Sequence, residues 1–81
     1  MKINIKKAEI KKEEVLITTD FIRLDAFLKF KGIALTGGEA KIFIQEGKIK
    51  VNNETCTARG KKLRAGDVVR AFGIEYMIKN Q

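Results

Sequence analysis

The 81-residue chain has no histidine, no proline and no tryptophan, and only one cysteine. Without histidine it lacks the commonest general base and neutral metal ligand. Cys56 alone forms no internal disulfide and, with no histidine to activate it, no nucleophile pair. A small packed or partly exposed thiol in a reducing cytoplasm is the expectation. No pair of carboxylates stands in a context that signals acid–base work, and no residues show metal-ligand spacing. The sequence therefore points away from an enzyme, and it implies no cofactor, metal or small-molecule substrate. Long apolar runs are missing too: none approaches the roughly 20 residues that cross a bilayer. The first residues, MKINIKKAEIKKEE, carry lysines but not the apolar region of a secretory signal. No membrane role is expected, and without secretion the glycosylation-like Asn53-Glu54-Thr55 is a chance match.

What the chain does have is positive charge. Lys and Arg number 17 against 10 acidic residues, a net charge of +7. Its partner should be a polyanion. Residues 1–40 carry 8 basic and 6 acidic groups (net +2), and residues 41–81 carry 9 and 4 (net +5). The excess thus begins at the second predicted helix. The plain alternative is that these charges only keep a small domain soluble.

The length suits one small domain. Residues 1–13 read as a leader or edge strand, with Ile3 and Ile5 alternating with polar neighbours, and residues 14–81 as the domain proper. Val15 to Thr18 is β-branched and apolar, a strand candidate. Leu24, Phe27 and Leu28 recur at helical spacing, with Asp25 in the first turn and Gly32 as the stop. Phe30 is expected to join this core, with Arg23 and Lys29 facing solvent. Thr36-Gly37-Gly38-Glu39 fits a capping box opening a second helix, whose stripe is Ala40, Phe43 and Ile44 and whose end is Gly47. Ile42 falls off that stripe. From Lys48 the period becomes two: Ile49 and Val51 on one face, Lys48 and Lys50 on the other. Asn52-Asn53 is a hairpin turn, with Glu54 to Thr57 returning. ARGKK (58–62) is a basic loop, Ala65-Gly66-Asp67 a turn, and Val68 to Phe72 and Ile74 to Ile78 are two more strands. The fold class is α+β: two short helices on a small, mostly antiparallel sheet of four to five strands.

Gly32 to Gly38 gives G-x-x-x-x-G-G, but Glu39 stands where a nucleotide-binding loop needs lysine, so that match fails. What remains is phosphate contact without chemistry. Gly37 and Gly38 open a helix, where free N–H groups and the macrodipole favour an anion. Lys41 follows one turn on. Lys48 and Lys50 share a strand face, and Arg59, Lys61 and Lys62 cluster in the loop. Such residues are ordinarily solvated charge, and the two glycines could serve only to relieve crowding. The aromatics fall mostly on the apolar stripes, which argues against a stacking platform for single strands and for a surface that reads the shape of folded RNA.

Arg23-Leu24-Asp25, Phe27-Leu28-Lys29, Gly32-Ile33, Thr36 to Lys41, Glu46-Gly47-Lys48, Val51-Asn52 and Ala65 to Val69 fall in one family's order and spacing. Over about residues 20–72 the chain resembles the RNA-binding domain named after ribosomal small-subunit protein S-four. The Thr-Gly-Gly-Glu-Ala-Lys run and the Arg59 to Leu63 loop are most similar to its small stand-alone bacterial members. The resemblance implies an αL motif, in which two helices and a hairpin meet structured RNA, ribosomal or transfer, free or within ribosomal particles. It places Arg23, Thr36, Gly37, Gly38, Lys41, Lys48 and Asn52 on the RNA face. With Lys29, Lys50, Arg59, Lys61 and Lys62 these form the candidate RNA-binding set. Two departures stand out: Thr36-Gly37 where many relatives have Ser-Arg, and Asn53 where glycine is common in the hairpin. A protein adaptor built on the same fold, for which Ile42 would serve, and a DNA-binding module are the alternative readings.

Overall fold

In the computed structural model, residues 11–81 are described; the expected edge strand or leader at Lys2 to Lys6 lies outside them. Apolar alternation sets the frame. β1 (Lys11–Ile17) buries Val15 and Ile17, β3 (Ile49–Val51) buries Ile49 and Val51, β6 (Val68–Ala71) buries Val69 and Ala71, and β7 (Ile74–Asn80) buries Tyr76 and Ile78. Together with the short β4 (Glu54–Thr55) they make a five-stranded sheet in the order β1-β7-β6-β3-β4. Every pairing is antiparallel except β1 with β7, which run parallel with Lys11 opposite Ile74. A second, two-stranded sheet pairs β2 (Ile22–Arg23) with β5 (Lys62–Leu63).

α1 (Leu24–Phe30) and α2 (Gly37–Gln45) supply Leu24, Phe27, Leu28, Ala40 and Ile44 to the core, each at 0 % exposure. They meet the inward residues of the sheet, with Phe27 edge-on to Tyr76 at 5.4 Å. Each of the Leu, Ile and Phe side chains contributes about 1.5–3 kcal/mol on burial. Phe30, expected in this core, is 62 % exposed instead. At about 100° per residue it sits roughly 110° from the centre of the Leu24–Phe27–Leu28 stripe, so only the edge of the helix carries it. α2 opens as the capping residues predict, since Thr36 Oγ1 accepts the Glu39 N–H at 3.0 Å. The Glu39 carboxylate reaches one residue further back than a capping box requires, accepting from the Leu35 N–H at 2.8 Å.

Some boundaries differ from the sequence reading. β1 starts at Lys11 rather than Val15, because the β7 ladder holds a polar stretch that has no apolar alternation of its own. The return strand ends at Thr55, not Thr57: the Cys56 N–H still reaches Ile49 C=O, and the chain then leaves the sheet. Lys62 belongs to β5, not to a loop. The hairpin turn is as expected. Asn52 (φ 52°) and Asn53 (φ 72°) are both left-handed, so asparagine fills the place of the usual glycine.

Candidate nucleic-acid interface

The start of α1 is fastened to a loop more than thirty residues downstream. The Leu24 N–H donates to Lys61 C=O at 2.8 Å and the Asp25 N–H to Arg59 C=O at 3.1 Å. Helix-initial donors that would otherwise face solvent thus hold the 58–61 segment in place. Asp25 completes the junction. Its carboxylate accepts the Ala26 N–H at 2.8 Å, Arg23 Nη2 at 3.1 Å and Arg59 Nε at 3.2 Å. Burial alone would raise this carboxyl, but the Arg59 hydrogen bond, the Ala26 N–H and the Arg23 charge outweigh it and hold it below its ordinary 3.8.

Two guanidiniums are thereby gathered on one buried acid while about half of each side chain stays exposed. Each has five N–H donors, and Asp25 engages one nitrogen of each. Both arginines line an open cavity of about 340 Å³, together with Asp25, Ala26, Lys29 and Gly37. Gly37 brings the first turn of α2 to the same cavity. A Cβ on Gly37 would meet nothing within 4 Å, and one on Gly38 would meet only Thr36 Oγ1 at 3.9 Å. The two glycines therefore do not relieve crowding; they leave the helix end uncovered.

The other expected residues divide. Lys41 is exposed and has no ion-pair partner among the described residues. Lys48 is exposed and lies 3.7 Å from the Glu46 carboxylate. Lys61 lines a second open cavity, of about 310 Å³, beside the β3–β4 hairpin. Lys50 points to the side of the sheet opposite the core, level with Thr55 and Arg70 on its neighbours. Asn52 is occupied within the fold: its amide donates to Asp67 Oδ1 at 3.1 Å and accepts the Val68 N–H at 3.0 Å. It locks the hairpin to the start of β6.

Three residues escape the sequence reading: Asp25 as the organiser of two arginines, and Phe21 and Arg64. Asp25 reads simply as a favourable helix-start acid, because its partner Arg59 is 34 residues away. The separation of aromatics from basic residues holds for Phe27, which is buried. It fails at Phe21, where Lys62 Nζ lies 4.8 Å and Arg64 Cζ 5.6 Å from the ring centroid. A usable signal was present: Phe21 stands two residues before Arg23, on the same side of an extended segment.

The family described as the S4 domain matches residues 15–79. The chain belongs to the S4-domain family. It is also similar to the probable ribosome maturation protein RlbA of Bacillus subtilis (strain 168), 42 % identical over 59 residues that cover 73 % of this chain and 83 % of that protein. The resemblance to small stand-alone bacterial members is thereby established. The S4-domain core expected at Leu24, Phe27, Leu28, Ala40, Ile44 and Val51 is buried, with Phe43 partly buried against it. Among the described residues no helix is long and apolar enough to cross a membrane.

Proposed function

We propose that this S4-domain protein is a non-catalytic, cytoplasmic RNA-binding protein that grips structured RNA mainly by its phosphates. The observation that carries this reading is the cavity where Arg23 and Arg59, both held by Asp25, meet Lys29 and the uncovered start of α2 at Gly37. Guanidiniums and open backbone N–H groups converging on one concavity suit phosphate oxygens. Lys41, Lys48 and Lys61 extend the positive surface, and Asn52, exposed at the turn, sets the hairpin's angle. Contacts of this kind provide affinity and register more than base specificity. The name of the Bacillus relative favours ribosomal RNA in a maturing particle over transfer RNA.

The test is Lys41→Glu combined with Lys48→Glu, two exposed positions whose exchange spares the core. Binding to a structured ribosomal RNA fragment should fall at least tenfold at modest salt, and the log–log salt slope should flatten by roughly 1.4–1.8 for two lost phosphate contacts. Unchanged binding would refute the proposed face. Equal affinity for duplex DNA of the same length would favour the DNA-binding reading, because the 2′-hydroxyl would play no part. A protein partner captured equally well after nuclease treatment would favour the adaptor, whose observation is the 52 % exposure of Ile42.

A further inference from the structure

The β2–β5 ribbon has one side in the core, where Leu63 is fully buried and Ile22 packs against the cluster. The ladder sets Arg23 opposite Lys62. Side chains alternate along extended backbone, so Phe21 and Arg23 share the outer side with Lys62 and Arg64. The cation–ring distances of 4.8 and 5.6 Å bear this out. Lys62 and Arg64 are exposed, and among the described residues neither has a carboxylate within ion-pair distance. An aromatic ring is thus kept partly exposed beneath two cations that lack a counter-ion among the described residues. Arg23 joins this patch directly to the Asp25–Arg59 junction.

We propose that the outer side of this ribbon seats an unpaired nucleotide of RNA, its base stacking on Phe21 and its phosphates meeting Lys62 and Arg64. The inference rests on the RNA-binding reading and deepens it, from a grip on phosphates to contact with a base next to the folded part. The chemistry fits because a nucleotide brings both things the patch lacks, a flat π surface and an anion. Both cations sit at the ends of flexible, exposed side chains, so they can swing from the ring to a phosphate. The ribbon's backbone is held by the core and by the Leu24–Lys61 hydrogen bond, so the seat is fixed beside the phosphate-gripping cavity.

The experiment compares one RNA hairpin in two forms, blunt and with five unpaired nucleotides at either end, by fluorescence anisotropy. The parent should bind the tailed RNA more tightly than the blunt one. Phe21→Leu should weaken tailed-RNA binding roughly fivefold or more, the loss of one stacked base, with blunt binding changed less than about twofold. Arg64→Gln, at an exposed position, should show the same selectivity and covers the case in which Phe21→Leu disturbs folding. With 5-iodouridine in the tail, irradiation of the parent complex should crosslink Phe21. Equal losses on both RNAs, no loss on either, or crosslinks confined to other residues would overturn the seat while leaving the phosphate-gripping face standing. Failure of the parent to bind even the blunt hairpin at modest salt would overturn both.

Discussion

Two surfaces of this small domain carry several cations each and handle them in opposite ways. On the outer side of the five-stranded sheet, Lys50, Arg70, Glu75 and Lys12 stand level across four strands, and Lys79 bonds Glu14 at 3.0 Å. Those four cations share the face with two acids, which cancel half of its positive charge. At the junction of α1, α2 and the β2–β5 ribbon, one buried acid serves two arginines, and Lys29, Lys41, Lys61, Lys62 and Arg64 add no acid of their own. Asp25 lowers the charge there by one, but it also holds two guanidiniums in place. The +7 net charge thus matters less than where acids sit among the cations. Paired across strands they halve the charge of a face; buried beneath arginines they build one.

The comparison can be broken most severely at the anchor of the basic ribbon. Leu63→Ala empties a fully buried site under β5 and should cost about 2–5 kcal/mol, read as a lower urea midpoint with little change in slope. A cost below about 1 kcal/mol would mean that the ribbon is held by its backbone bonds alone.

Next comes the acid that distinguishes the two surfaces. Asp25→Asn keeps the shape but releases the charge on Arg23 and Arg59, at a cost of about 1–2 kcal/mol in urea unfolding. It should also weaken RNA binding severalfold, although it raises the net positive charge. Tighter binding would show that charge count, not placement, governs the face. The same residue sets a pH response. Its folded-state carboxyl lies below the ordinary 3.8, so its contribution is present above pH 3.8 and is lost as pH falls through the folded value. Asp25→Asn should flatten that acid limb of the stability curve.

The smallest effect belongs to the half-cancelled face. Lys50→Gln should change stability by no more than about 0.5 kcal/mol and RNA affinity less than about twofold. A loss as large as that of the Lys41 and Lys48 double variant would make the outer side of the sheet part of the interface.

The helices, the Thr36 cap and the Asn52-Asn53 turn were legible because each rests on contacts between near neighbours: a 3.6-residue stripe, a hydroxyl three residues from its N–H, two positive-φ asparagines. Phe30 departs from expectation because it lies past the edge of the α1 stripe, where the helix turns it to solvent. The β2–β5 ribbon went unread because two-residue strands are too short to show alternation. The tie from Asn52 to the start of β6 is hidden in the sequence because the partners of its amide, Asp67 and Val68, lie 15 and 16 residues further along.

Local periodicity and composition by themselves determined the α+β class, the absence of histidine chemistry and the positive excess, and the motif residues carried the resemblance to the S4-domain family. These depend on residue identity and on spacings of a few positions, which folding does not alter. Only the tertiary structure decided which cations act together. Closing the loop from Asp25 to Arg59 brings one acid under two arginines, and the register of β2 against β5 sets Lys62 beside Arg23. Charge interactions depend on distance through space, and that distance exists only once the chain has folded.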